Sequence, residues 1–391
     1  MTRAWAPAAL MAALWAAVLW AGPLADTSIT DTFIYAHYAD LLAGGAWPYG
    51  DFAFEYPPLA LAPMALADLP GGNYATWFGV LMGIAAVACV PAVNALGGAR
   101  AAWAFALTPL LAGAVLRTHF DLVAVALLLA GLLAVVRRRP VLGLAVLGVA
   151  TMVKLFPAVV AAVAIAWLWG RGERRAAWQG ALAFAAVVAV CSAPFLGGGY
   201  VDAYEYHRDR PVQIESTAAT VLWVLGDVEI TGSTSQPDAF GSNGLVGGPS
   251  DAVRALFAVL QLLALAGCAV LALRGAPLLV CAAASVVALV ALGKVLSPQY
   301  VAWLAPFAAL LLALGERAAA GLLAAAVALT TVEFPRLYLD LVEGDDGVAL
   351  LVGARNALLL AALAVILARA AAAARSRPPS AAAPRSGSAR R

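Results

Sequence analysis

TSITDTFIYAHYADLLAGGAWPYGDFAFEYPPL, residues 27–59, is the first long polar interruption in an otherwise apolar chain. Upstream lies a run of about 20 apolar residues, Ala4 to Leu24, long enough to cross a bilayer as a helix. Downstream, apolar runs recur almost to the end. The interruption gathers Asp31, Asp40, Asp51 and Glu55, with Asp26 just before them, among Tyr35, Tyr38, Trp47, Tyr49 and Tyr56. Carboxylates that accept hydroxyl protons, beside flat rings that cover C–H faces, suit a sugar. The same composition also suits a wet loop whose aromatic residues mark a membrane surface.

The bulk numbers place the chain in the membrane. Of 391 residues, 64% are hydrophobic and 12% charged, with mean hydropathy +0.90. A soluble domain carries roughly twice that charge. No basic patch interleaved with aromatic residues is present, so nucleic acid is not an expected partner. Cys89, Cys191, Cys268 and Cys281 all sit in apolar runs without metal-binding spacing and read as small buried hydrophobes. The N-terminus has the basic start of a signal peptide, but its apolar run favours a retained first helix.

Lipid leaves an open chain few options besides helices. The expected fold is therefore an all-α integral membrane protein of about 12 transmembrane helices. They lie at roughly 4–24, 73–96, 101–116, 121–136, 141–153, 155–169, 176–195, 251–272, 277–293, 300–314, 318–332 and 348–370. Residues 1–370 form one membrane domain, and 371–391 a disordered basic cytoplasmic tail. Placing Arg3 inside and alternating puts sixteen of the 24 Lys and Arg on the inner side and twenty of the 22 acids outside. The positive-inside rule supports this orientation in the plasma membrane, with both termini cytoplasmic. The substantial loops, 25–72, 196–250 and 333–347, then face outward. In the first, Pro57-Pro58 followed by LALAPMALADLP reads as the start of a short interfacial or re-entrant helix. DVEITGSTSQPDAFGSNGLVGGPS, in the second, is too rich in Gly, Ser and Pro for a packed element and reads as a substrate loop or a connector.

Five outer bases fall at helix ends: Arg117, Lys154, Lys294, Arg336 and Arg355. Singly, each is explained by snorkelling. Together they suggest an anion at the membrane boundary, and a lipid phosphate fits, with Arg as a bidentate fork and Lys as a point charge. The outer compartment lacks nucleotides, whereas a sugar on a lipid phosphate needs none. The phosphate leaves, the cations meet its charge, and a carboxylate takes the acceptor proton. Asp31 is the first candidate base and Glu55 the second. His119 and His207 could bind phosphate, move protons or serve structure alone. No P-loop, GxGxxG, HExxH or GxSxG in suitable context occurs.

Asp31, Tyr35 and Tyr38, followed by GGAWPYGDFAFEYPPL, RTHFDL, KLFP and SPQYVAWLAP, resemble the polyprenol-phosphate-mannose-dependent α-1,2-mannosyltransferases of glycosyltransferase family 87, in the GT-C class. The likeness spans roughly residues 25–310. It implies inverting transfer of mannose from a polyprenyl-phosphate donor to a glycolipid or lipoglycan at the outer face, with Asp31 as general base. It also implies no cofactor and, in the main, no metal. On this reading Arg117, His119, Lys154 and Lys294 hold the donor phosphate. Tyr35, Tyr49, Glu55, Tyr56, Gln299 and Tyr300 line the sugar or acceptor side. The alternatives are transfer of another lipid-linked sugar such as arabinofuranose or, in a different class, a lipid or sugar transporter or flippase, which would place substrate groups near the bilayer midplane.

Overall fold

A computed structural model describes residues 5–20, 22–197, 199–231 and 242–376; of the expected tail, 377–391 lies outside them, and 371–375 instead continues the last helix, Asp346–Arg375. Helices make up most of the structure. Among the described residues four are long and apolar enough to cross a membrane: Tyr74–Ala106, Arg174–Phe195, Ser250–Leu273 and Asp346–Arg375. The helices Trp5–Trp20, Asp121–Val136, Pro140–Val153, Pro157–Gly170, Leu278–Ala291, Val301–Ala313 and Arg317–Glu333 have 13 to 17 residues. At 1.5 Å per residue they reach roughly 20–25 Å, short of the 30 Å hydrocarbon core. Their ends therefore meet polar groups inside the bundle's rim, and that is where the site forms.

The expected span 101–116 is corrected. Tyr74–Ala106 runs through Gly98, whose φ of +76° breaks the helix at the GGAR turn. Beyond that break the helix continues to Ala106, and two short helices follow, Thr108–Ala112 and Val115–Thr118. Pro109 near the start of the first and Gly113 after it prevent a continuous span.

Leu278–Ala291 and Val301–Ala313 are buried along nearly their whole length and form the centre with Asp121–Val136. Ser250–Leu273 instead turns Leu256, Val259, Leu262 and Leu263 outward, as a lipid-facing helix does. Trp5–Trp20 is built into the bundle: Trp15 donates its indole N–H to the Gly79 carbonyl at 3.0 Å.

Neither large loop is plain coil. The first contains the helix Thr32–Ala43 and, after Pro58, the short helix Leu61–Asp68. The second contains helices Tyr200–Asp209 and Thr217–Leu225. It also carries a small antiparallel sheet of Val212–Gln213, Gly244–Val246 and Glu229–Ile230, in that spatial order. Both ends of the Gly/Ser/Pro-rich stretch are thus packed, with Asn243 and Leu245 buried, which corrects the expectation of an unpacked segment and of a purely helical chain. Its middle, 232–241, lies outside the described residues.

Arg355 clamps the second loop to the bundle. It is not at a helix end but buried within Asp346–Arg375, with Glu215 and Glu333 each 3.9 Å from its guanidinium. It also donates to the Glu215 carbonyl, as does Asn356 at 3.2 Å. Burial, followed by the charge of Glu333, raises the Glu215 carboxyl well above the ordinary range despite Arg355. Asp345 has a local duty, capping Asp346–Arg375 by accepting the Val348 N–H at 2.9 Å.

Candidate active site

Four chain breaks converge at one place. Asp31 occupies the N-cap position of Thr32–Ala43, and Asp121 opens Asp121–Val136. Lys154 closes Pro140–Val153, and Gln299 sits in the single turn Pro298–Tyr300 before Val301–Ala313. The sequence dictates two of these breaks through proline. Pro157 and Pro298 lack an N–H, so each can begin a helix but cannot continue one from the preceding turn. At Asp121 the carboxylate lies against the positive end of its own helix.

Lys154 and Asp121 form the buried heart of the site. The ammonium donates to Asp121 Oδ2 at 3.0 Å and to Gln299 Oε1 at 2.5 Å. It also lies 4.4 Å from the centre of the Phe120 ring and 5.6 Å from that of Tyr56. Trp303 donates its indole N–H to Asp121 Oδ1, so both carboxylate oxygens are satisfied. The Trp303 ring is sandwiched between Tyr300 at 3.8 Å and Phe156 at 4.2 Å. Two of the three ammonium donors are committed to protein, leaving one for a ligand oxygen.

Asp31 stands beside this pair with a third of its side chain exposed, against 6% for His119. His119 Nε2 is 3.3 Å from Asp31 Oδ2, and the Tyr35 hydroxyl donates to the same oxygen at 3.4 Å. The other ring nitrogen of His119, Nδ1, is 2.9 Å from the Thr118 hydroxyl and 3.1 Å from the Val115 carbonyl. Nε2 faces the Asp31 carboxylate as a donor, which is how the ring depresses that carboxyl. Burial opposes the charge on Asp31. The hydrogen bond and charge of His119, with Lys154 and Tyr35, outweigh it and hold the carboxyl below its ordinary range. Asp31 is thus an ionised acceptor at neutral pH, with an exposed edge for a substrate hydroxyl.

Tyr35 and Tyr56 complete the wall. Burial first, then neighbouring carboxylates, raises both phenols well above 10. They therefore act as neutral hydrogen-bonding groups.

Other expected site residues lie apart from this group. Arg117 donates to the Ala25 carbonyl at 2.8 Å. The Lys294 ammonium donates to the carbonyls of Arg208 and Arg210 at 2.7 and 2.8 Å, and burial lowers its pKa to about 8. Arg336 is 3.8 Å from Asp26. Tyr49 has a positive φ of 66°, donates to the Tyr56 carbonyl, and packs edge-on against Phe54, Phe195 and Tyr200. These bonds give Tyr49 a part in holding the first loop's shape. Glu55 faces a neighbouring cleft.

Asp121 and Trp303 had no role in the sequence reading. An acid at the start of an apolar helix, two residues after a histidine, is a signal that a buried partner exists. Nothing in SPQYVAWLAP marks Trp303 as that partner.

A helical membrane bundle with an acid and a buried base at its helix ends has the architecture of the GT-C membrane glycosyltransferases. The crystal structure of ArnT from Cupriavidus metallidurans bound to undecaprenyl phosphate shares the fold. The match covers 95% of this chain and 78% of that one, with a TM-score of 0.51 and 15% identity. No curated protein sequence matches the chain. The glycosyltransferase family 87 model matches residues 54–298, more than half of the sequence, and the chain belongs to that family. The matched range holds Glu55, His119, Asp121 and Lys154; Gln299 lies just outside it and Asp31 well before its start.

Proposed function

We propose that this membrane glycosyltransferase moves a mannosyl residue, with inversion, from polyprenyl-phosphate-mannose to a hydroxyl of a glycolipid or lipoglycan. The reaction takes place at the outer face of the plasma membrane, with both chain termini in the cytoplasm. Asp31 removes the acceptor proton as that oxygen attacks the anomeric carbon. The bond from that carbon to the phosphate oxygen breaks, and the electron pair leaves with the lipid phosphate. The remaining N–H of Lys154 meets the charge on the phosphate, and the proton stays with the Asp31–His119 pair. A single displacement inverts the configuration. No nucleotide or metal is required.

The observation that carries this reading is an ionised, partly exposed carboxylate within electrostatic reach of a buried ammonium. The undecaprenyl phosphate in the ArnT structure supports the donor class. The charge sorting of the sequence supports the orientation. Family membership favours transfer over transport. The test is transfer from labelled polyprenyl-phosphate-mannose by purified protein. Asp31→Asn should lower turnover roughly 10²–10⁴-fold. Turnover near that of the parent protein would remove Asp31 from the mechanism, and a panel including polyprenyl-phosphate-arabinofuranose identifies the sugar.

A further inference from the structure

A second recess lies beside the Asp31 group, between the first loop and helix Tyr200–Asp209. Glu55, Tyr56, Leu155, Tyr200, Tyr204 and His207 line it, enclosing about 200 Å³ of empty space that includes an open mouth. The cleft is shallow and open to the surface, so it meets a ring by its edge.

Two contacts fix the cleft's walls. Gly199 donates its N–H to the Tyr49 carbonyl at 2.7 Å, and a Cβ there would come within 2.8 Å of that oxygen. His207 Nε2 donates to the Glu55 carbonyl at 2.8 Å, which joins helix and first loop at the cleft itself. One wall carries a string of hydroxyls, Ser192 to Tyr200 to Tyr204, with 2.9 Å at each step. On the other, Tyr56 follows Glu55 in the chain, its ring centre 6.2 Å from that of Tyr35, and Tyr35 bonds Asp31. A row of polar side chains thus runs from the cleft to the candidate base.

The charge of the cleft selects its ligand. Its acidic group is Glu55. Its one basic side chain, His207, is kept neutral by burial, which outweighs the bond to the Glu55 carbonyl and the nearby carboxylate. A phosphate is repelled by such a lining, whereas hydroxyls find an acceptor in Glu55 and partners in Tyr200 and Tyr204. The ammonium stands beyond Tyr56, 5.6 Å from its ring centre.

We propose that this cleft is the acceptor subsite and holds a saccharide ring by its hydroxyls, delivering one of them past Tyr56 to Asp31. The donor phosphate and the acceptor ring then meet across Tyr56, the side chain common to both places. The assignment as acceptor subsite rests on the reaction proposed above; the capacity to bind a saccharide does not. Exposed Leu155 in the cleft, with exposed Val201 on the adjoining helix, suits an acceptor that carries an apolar tail.

The test uses the full chain in detergent, with octyl and methyl α-mannopyranoside as probes. Binding is read by calorimetry without donor, and KM for each substrate is read with polyprenyl-phosphate-mannose. Glu55→Gln and Tyr204→Phe keep shape and remove one polar function each. Each should weaken octyl mannoside binding, and raise its KM, by roughly 10-fold, the effect of one hydrogen bond to a ligand, with donor KM within twofold of the parent's. Tighter binding of the octyl than the methyl compound identifies a glycolipid acceptor, and equal binding a soluble saccharide. The proposal falls if neither glycoside binds the parent protein, if both variants bind like the parent, or if donor KM rises in place of acceptor KM. Glycoside binding that the variants weaken, without any turnover of the donor, would retain the saccharide cleft and refute the proposed reaction instead.

Discussion

Replacing Lys154 by methionine removes the ammonium while keeping the length of its stem. At 3.0 Å from Asp121 the pair attracts by roughly 5–6 kcal/mol at an effective dielectric of 20. Its side chains are 11% and 1% exposed, so solvent screens little of this. Desolvation of both charges offsets much of that attraction in the intact protein. In K154M it does not, because Asp121 is left buried with only the Trp303 indole. Breaking such a pair costs about 3–5 kcal/mol. The double variant K154M/D121N has no uncompensated charge, and Asn still accepts from Trp303, so most of that loss should return. Stability and catalysis then separate. The thermal midpoint in detergent should fall in K154M and recover by more than half in K154M/D121N, while transfer stays at least 100-fold below the parent in both. A parental midpoint in K154M would refute the buried pair, and a double variant with near-parental transfer would refute a role for Lys154 at the donor phosphate.

Three further outcomes follow from the geometry. His119→Gln removes the group that most depresses the Asp31 carboxyl, so the acid limb of the pH–rate profile should move toward neutral pH; an unmoved limb would break the pairing. The sign is the same for stability. Asp31 has a folded pKa below its unfolded one, so its contribution is full above the unfolded value and fades as pH falls through the folded one, a window that His119→Gln should narrow. Gly199→Ala sets a Cβ 2.8 Å from the Tyr49 carbonyl oxygen and should part the two loops, read as faster amide exchange in Tyr200–Asp209 together with reduced transfer. Asp345→Ala should lower stability by about 1 kcal/mol through loss of the cap, with transfer unchanged, as thermal denaturation and the labelled-donor assay would show.

Most helices were legible because burial in lipid leaves apolar runs little choice of conformation. The ends of 121–136, 140–153 and 301–313 fall within a residue or two of their sequence boundaries. The third span failed because Pro109 and Gly113 act on backbone angles that hydropathy does not register, whereas the break at Gly98 falls at the expected GGAR turn. The second loop failed for a different reason: its strands are two or three residues long and depend on pairing across 15 to 33 positions of sequence.

Charge and composition by themselves determined that Asp31 and several bases are exceptional, since an ionised group beside lipid is costly wherever it stands. They could not rank the bases, because each was equally isolated along the chain. Only the tertiary structure decided that Lys154 meets Asp121 and Gln299, that Lys294 is occupied by two carbonyls, and that Arg355 is a buried clamp. The physical reason is the range of the forces. Hydropathy is a property of each segment alone, whereas a charge takes its role from whichever partners packing brings within about 4 Å.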